Sequence, residues 1–178
     1  YSLHTFSLSK ERIVVVWSRD SEFVVNLNHD LFAFIGKGCQ VQDEETFNDL
    51  ALREFALQFE NIEAYRRFCL KRQMSPENIS SWREVPAVPT EAFKHLNFFC
   101  FGEREIARVF STSGTTQGDK RGKSHFDQMG LEIMREAILQ NARGYLFPDS
   151  LRSRILVLAP SPAQVPQMIM ACGKSILI

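Results

Sequence analysis

The chain has 178 residues, and its 21 basic and 21 acidic residues give a net charge of zero at pH 7. Apolar residues make up 44% of it, which is typical of a soluble globular domain and too high for a disordered chain. The balanced charge argues against a protein that coats nucleic acid, and no apolar run approaches the ~20 residues of a membrane-spanning helix.

Residues 1–40 are the least informative part of the sequence, and we treat them as a segment distinct from residues 41–178. The runs at residues 13–17 and 22–26 are rich in β-branched and aromatic side chains. Such side chains are enriched in β-strands, because they pack well on a pleated surface. The sequence therefore predicts two strands in this segment.

From Thr46 onward, apolar residues recur at the spacing of an amphipathic helix. We expect the helix to begin at Thr46, because Thr46 and Asp49 resemble a capping box. Its apolar side carries Phe47, Leu50, Ala51, Phe55, Leu57 and Phe59. Asn61 can begin a second helix, and Ser75 with Pro76 can begin a third. The buried side of the second helix should contain Ile62, Tyr65, Phe68 and Cys69.

The second half of the chain mixes strand and helix patterns. Residues 104–110 alternate enough to predict a strand, and the apolar run at residues 154–159 is typical of a strand buried on both faces. Between them, Asp127 is expected to cap a helix that runs to about Ala142 and is ended by Gly144. This order predicts an α/β fold, with helices packed on a mostly parallel sheet.

The segment at residues 111–125 has the composition of a phosphate-binding loop. Glycines allow backbone N–H groups to turn inward, and hydroxyl and cationic side chains bind phosphate oxygens. Its glycines are Gly114, Gly118 and Gly122, and its cations are Lys120, Arg121 and Lys123. A polar surface turn also favours Ser, Thr and Gly, so these residues alone leave both interpretations open.

A Walker A loop is the main competing interpretation of this segment. Residues 118–124 resemble its Gly-x-x-x-x-Gly-Lys-Ser/Thr pattern. However, Gln117 stands where the first glycine is needed, so the pattern is one residue short. His125 and Phe126 also separate the pattern from the next helix, whereas a Walker loop leads directly into its helix. Both departures disfavour a P-loop nucleotidase.

Residues 111–116, Ser-Thr-Ser-Gly-Thr-Thr, resemble the phosphate-binding signature of the adenylate-forming enzymes, the superfamily of acyl-CoA synthetases, adenylation domains and luciferases. The signature usually continues with glycine, where this chain has Gln117. Within the superfamily, the chain is similar to the LuxE-type acyl-protein synthetases, or long-chain-fatty-acid–protein ligases. That similarity lies at residues 47–52, 68–69, 82–86, 88–94 and 156–162. It implies that residues 41–178 are an incomplete N-terminal domain of an adenylate-forming enzyme, whose loop links two strands.

This resemblance implies a cytoplasmic enzyme that uses ATP and Mg²⁺ to activate a fatty acid as an acyl-adenylate. The acyl group would then pass to a thiol on an acceptor protein, such as a fatty acyl reductase. The residues implied to bind the nucleotide are Thr112, Ser113, Gly114, Thr115, Thr116, Gly118, Lys120 and Lys123. Lys123 and His125 are the candidate catalytic residues, and no metal-ligating cluster is predicted.

Two other functions stay open from the sequence. One is a non-catalytic remnant that binds a nucleotide, and the other is a phenylacetate-type acyl- or aryl-CoA ligase. The adenine-pocket motif, the acidic ribose clamp and the C-terminal catalytic lysine of the family are not found in the sequence. Because the chain begins with Tyr1 rather than Met and ends in an apolar run, we expect a fragment that does not complete the reaction alone.

The four cysteines, at positions 39, 69, 100 and 172, lack the C-x-x-C spacing of zinc sites. They are also too widely spread for a disulfide framework. We therefore expect reduced thiols. In the apolar run at residues 98–101, Cys100 is expected to be a buried structural thiol, because apolar surroundings disfavour the thiolate.

Overall fold

A computed structural model describes residues 20–112, 121–149 and 154–178. Within these ranges the architecture is mixed α/β and mostly helical, with one small antiparallel sheet. The helices are α1 (Glu22–Gly36), α2 (Glu44–Asn61), α3 (Glu63–Leu70), α4 (Gln128–Asn141) and α5 (Ile169–Ser175). The strands are β1 (Arg108–Ser111) and β2 (Lys123–Phe126), and 3-10 helices cover Trp82–Glu84, Thr90–Lys94 and Glu103–Glu105. None of the helices in the described ranges is long and apolar enough to span a bilayer.

The mostly parallel sheet predicted from the sequence is not found in the described ranges, where β1 pairs with β2 antiparallel. The predicted strand at residues 154–159 is wrong, because that run has no regular structure. Its Leu156 and Leu158 are 84% and 88% exposed. An apolar run forms a buried strand only where neighbouring strands satisfy its backbone hydrogen bonds, and the described residues supply no such neighbour.

The predicted strand at residues 22–26 is also wrong, since these residues form the first turns of α1. Ser21 caps the helix, and its hydroxyl oxygen accepts the N–H of Val24 at 3.4 Å. Val24 and Leu27 lie one turn apart and are both buried. The β propensity of a valine pair is a weak preference, and burial of one helical face outweighs it. The other predicted strand, at residues 13–17, lies outside the described residues.

Helix α2 confirms the predicted amphipathic helix, although its cap is Asp43 rather than Thr46. The Asp43 carboxylate accepts the backbone N–H of Thr46 at 3.1 Å. Hydrogen bonds from Lys37 and then from Thr46 lower the pKa of Asp43 to about 2. Asn61 ends α2 and does not cap α3, because its amide donates to the carbonyl of Leu57 within the same helix at 2.8 Å.

Two adjoining groups of buried side chains form the core on either side of α2. The first contains Phe55, Phe59, Ile62, Tyr65 and Cys69. The second contains Val24, Leu27, Leu50 and Leu57. The partly buried Cys100 packs against both. Because α1 packs against α2 and α4, the described part of residues 1–40 shares this core; the domain boundary at residue 40 stays a prediction.

Helix α4 begins as predicted, with Asp127 as its cap. The Oδ1 atom of Asp127 accepts the N–H of Gly130 at 2.7 Å. Gly144 does not end the helix, because Ala142–Leu146 continue it as a π-helical turn. The N–H of Phe147 closes that turn on the carbonyl of Ala142 at 2.9 Å. Gly144 has no positive φ, so it does not act as the left-handed terminator that the sequence suggests.

Two further predicted elements are shorter than expected. Ser75 and Pro76 begin a turn and not a helix, because the side chain of Asn78 folds back to accept the N–H of Ser75 at 2.7 Å. The strand predicted at residues 104–110 starts only at Arg108, since the residues before it form a 3-10 turn.

Candidate functional site

The candidate phosphate-binding loop is carried by the β1–β2 hairpin. The register pairs Ser111 with Lys123 at the end of the strands. Just beyond, the N–H of Thr112 donates to the carbonyl of Gly122 at 2.9 Å, and the N–H of Gly122 donates to the Thr112 hydroxyl at 3.1 Å. These reciprocal bonds hold the base of the loop closed. Residues 113–120, its remainder, lie outside the described part of the chain.

Gly122 lies buried between the loop base and a neighbouring helix. A Cβ at this position would lie 3.4 Å from Cγ2 of Thr112 and 3.6 Å from Cβ of Phe93. Phe93 belongs to the 3-10 helix Thr90–Lys94, which packs against β2. A side chain longer than that of alanine would therefore displace one of these neighbours.

A cleft of about 790 Å³ lies beside the loop base, and we call it the loop-base cleft. One wall carries Ser111, Thr112 and Arg121, and the other is residues 164–170. The N–H of Ser111 donates to the carbonyl of Gln167 at 2.9 Å, which joins the two walls. The first wall offers hydroxyl and guanidinium donors, and the second is largely apolar. This arrangement suits an amphiphilic ligand with an anionic end.

Two of the predicted nucleotide-binding residues lie in the described ranges. Thr112 lines the loop-base cleft, and Lys123 is exposed at the end of β2. The Thr112 oxygen accepts one hydrogen bond, so its own hydroxyl hydrogen can be donated to a ligand oxygen. The other predicted residues, Ser113, Gly114, Thr115, Thr116, Gly118 and Lys120, lie outside the described residues. Their roles stay predictions.

Sequence reasoning did not select Arg121 or the wall at residues 164–170. Arg121 was visible as one of three cations in the loop, and its position beside Thr112 could have been inferred from the strand pairing. Residues 164–170 carry no motif, and the backbone bond of Gln167 to Ser111 brings them to the loop only in the folded chain.

A second cavity, of about 350 Å³, lies where α1, α2 and α4 meet the end of β2, and we call it the helix cavity. Its apolar lining is Val24, Leu57, Phe101, Phe126, Met129 and Ile133. Its polar lining is Asn28, Glu54, Gln58, Cys100, His125 and Asp127. Gly130 completes it.

His125, a predicted catalytic residue, lines the helix cavity and not the loop-base cleft. Its ring centroid lies 5.0 Å from that of Phe99. Its Nδ1 atom is buried and has no hydrogen-bond partner in the structure. Burial, together with the nearby Lys123 charge, lowers the pKa of His125, which favours the neutral imidazole. The catalytic roles of His125 and Lys123 stay predictions.

All four cysteines are free thiols. Burial, with a smaller contribution from Glu54, raises the pKa of Cys100 to about 12. Burial also raises the pKa of Cys69. Both groups are therefore thiols and not thiolates at neutral pH, which fits a packing role better than a nucleophilic one.

No protein-family model matches the chain, and no solved structure matches it. Two curated proteins, both called long-chain-fatty-acid–luciferin-component ligase, are similar to parts of it. The protein from Aliivibrio fischeri is 29% identical over 96 residues, which cover 53% of this chain and 24% of that protein. The protein from Photorhabdus luminescens is 28% identical over 74 residues, which cover 42% of this chain and 63% of that protein. The chain thus spans less than two thirds of either relative, and the similarity supports the family suggested by the motifs.

Proposed function

We propose that this chain contributes the phosphate-binding part of an AMP-forming ligase, which activates a fatty acid with ATP and passes the acyl group to a protein thiol. The observation that carries the proposal is the closed hairpin base, where Thr112 and Gly122 bond reciprocally beside the loop-base cleft. The names of the two partially similar proteins support a fatty acid as the substrate.

The chemistry requires a change of leaving group, which ATP supplies as the second substrate. A carboxylate is a poor electrophile until one of its oxygens belongs to a good leaving group. The protein then contributes mainly position and electrostatic stabilisation. On the polar wall of the loop-base cleft, Arg121 and the Thr112 hydroxyl would donate hydrogen bonds to phosphate oxygens. On the other wall, Val165, Met168 and Ile169 would contact the alkyl chain and exclude water.

Mg²⁺ would enter this site together with the nucleotide. The described residues contain no group of three or more His, Cys, Asp or Glu side chains that could hold a metal ion. Mg²⁺ bound to a nucleotide takes many of its ligands from phosphate and water. We therefore assign no protein ligand to the ion.

Exchange of pyrophosphate into ATP, dependent on added fatty acid, tests the proposed role of the loop. In the full-length protein, we expect Lys123→Ala and Thr115→Ala each to lower the exchange rate by about 10²-fold, as when one charge-stabilising donor is removed. Lys71→Ala is the matched control, because Lys71 is an exposed cation that follows α3 and lines neither cavity. Unchanged exchange in both loop variants would exclude the proposal.

The acceptor is tested separately, by offering either coenzyme A or a protein thiol to the activated acyl group. Transfer to protein thiols supports the acyl-protein ligase. Transfer to coenzyme A would instead identify the phenylacetate-type ligase. ATP binding without any exchange would identify a non-catalytic nucleotide-binding module.

A further inference from the structure

We propose that the helix cavity is a binding site for a small uncharged molecule with an apolar body and one hydroxyl group, such as a medium-chain aliphatic alcohol. The site is distinct from the loop-base cleft, and the proposal does not depend on the activity assigned to that cleft. It rests on the enclosure of the cavity, on its charges and on its unsatisfied polar atom.

The walls of the helix cavity suit a compact apolar body. Its volume of about 350 Å³ lies in the range of small-molecule sites, roughly 300–1,000 Å³. Three helices and one strand contribute the lining, so regular elements hold its shape. Val24 and Leu57 in this lining are buried core residues. An alkyl chain bound here would exchange contact with water for contact with core side chains.

The charges of the cavity argue against an ionised ligand. None of its lining residues is Lys or Arg, whereas Asp127 and Glu54 are both present. The Asp127 carboxylate is directed into the first turn of α4, where it caps the N–H of Gly130. A bound carboxylate would face Asp127 without a compensating cation after losing its water, which is strongly unfavourable. The loop-base cleft, which contains Arg121, differs in this respect.

The titratable groups of the lining are shifted toward their uncharged forms. Burial raises the pKa of Glu54, and the Gln58 amide donates to its Oε2 at 3.4 Å. Burial lowers the pKa of His125 and raises that of Cys100. Each shift has the same origin, since a poorly solvated surrounding disfavours charge. A cationic ligand would meet the same penalty.

A hydroxyl group matches the polar atoms that lack partners. Nδ1 of His125 is buried and unbonded in the structure. A hydroxyl can donate and accept, so it can pair with this nitrogen in either tautomer of the neutral ring. The amide of Asn28, on the same lining, offers a second polar contact.

The first test compares three probes of equal length, 1-hexanol, hexanoate and hexylammonium, by calorimetric titration of the intact chain at pH 7. We expect saturable binding of hexanol and at least about tenfold weaker binding of both ions, because each ion must lose its hydration. Absence of saturable hexanol binding, or equal binding of either ion, would overturn the proposal. None of these readouts requires ATP or ligase activity, so a failure here is distinct from a failure of the proposed function.

Substitutions in α4 locate the bound probe. Met129→Phe should fill the helix cavity and abolish the rise in Tm that hexanol produces. Met134→Phe makes the same change on the same helix outside the lining, and should preserve that rise. Asp127→Asn keeps a capping oxygen and removes the charge, so it should narrow the difference between hexanol and hexanoate. Persistence of the hexanol effect in folded Met129→Phe would contradict the assignment.

Chemical-shift mapping of the unmodified chain decides the matter if Met129→Phe does not fold. Hexanol should shift the methyl signals of Val24, Leu57 and Ile133, which all line the cavity. Shifts confined to residues 164–170 would place the alcohol in the loop-base cleft and refute the proposal.

Discussion

The loop-base cleft and the helix cavity adjoin the same hairpin, yet they suit opposite ligands. The cleft has Arg121 and two hydroxyls on one wall, and its other wall includes Met168 and Met170, which are 41% and 62% exposed. The cavity has no cation in its lining, and it borders core residues such as Leu57, which is 8% exposed.

This difference follows from how far each site is from water. Near the surface, hydroxyl, guanidinium and backbone groups can meet an anion while solvent screens the remaining charge. In the helix cavity the same burial that builds the core shifts Glu54 and His125 toward their neutral forms. One short hairpin thus borders one environment for charged groups and another for uncharged ones. The following predictions test that distinction.

The largest effect should separate a core wall from a surface wall. Leu57→Ala removes a side chain that belongs to both the core and the helix cavity, and should lower the free energy of unfolding by about 2–5 kcal/mol. Met168→Ala, on the exposed wall of the cleft, should lower it by less than about 1 kcal/mol. Urea unfolding of both variants measures the difference. Similar losses would mean that residues 164–170 are as tightly packed as the core.

The next effect concerns the closure of the loop base. Thr112→Val removes the oxygen that accepts the N–H of buried Gly122, and an unsatisfied buried donor is unfavourable by about 1–3 kcal/mol. Thr112→Ser keeps that oxygen and serves as the control. Amide exchange at Gly122, measured alongside urea unfolding, should become faster only in the valine variant. Equal exchange in the two variants would show that the hydroxyl does not hold the base.

A smaller effect is expected at the cap of α4, which forms part of the helix cavity. Asp127→Ala removes the acceptor for the N–H of Gly130 and should lower the free energy of unfolding by about 1 kcal/mol. Asp127→Asn retains a capping oxygen, so its loss should be only a fraction of that value. Thermal unfolding of the pair distinguishes the capping bond from the charge. An asparagine variant as unstable as the alanine variant would assign the effect to charge.

The smallest effect should appear in the pH dependence of stability at Glu54. Burial raises the folded-state pKa of this group above its ordinary value of 4.5. The folded protein therefore holds the proton more tightly, and the contribution of Glu54 to stability is lost as pH rises from 4.5 through the raised pKa. Glu54→Gln should remove this decline, so the variant gains stability relative to the unmodified chain as the pH rises. Parallel stability curves from pH 4 to pH 8 would contradict the shift.

Local patterns were enough to predict α2, α4 and the strands that flank the loop. In α2 the apolar positions, such as Phe55 and Phe59, recur at helical spacing, and both are buried. In α4 the capping role of Asp127 could be read from the residues beside it. Periodicity and capping depend on residues within one or two turns, so the sequence carries them directly.

Patterns that need a partner elsewhere in the chain were misread. The valine-rich start of α1 is helical because Val24 and Leu27 share a core with Leu57, far along the chain. The apolar run at residues 154–159 is not a strand, because in the described ranges no neighbouring strand pairs with it. The same argument explains the sites.

The sequence alone was sufficient to identify a phosphate-binding motif and the strands on either side of it, because both are local. Only tertiary structure could place Arg121 opposite residues 164–170, or surround His125 with helices that begin about a hundred residues earlier. Burial, and the pKa shifts that it causes, depend on atoms brought together by folding from distant parts of the chain.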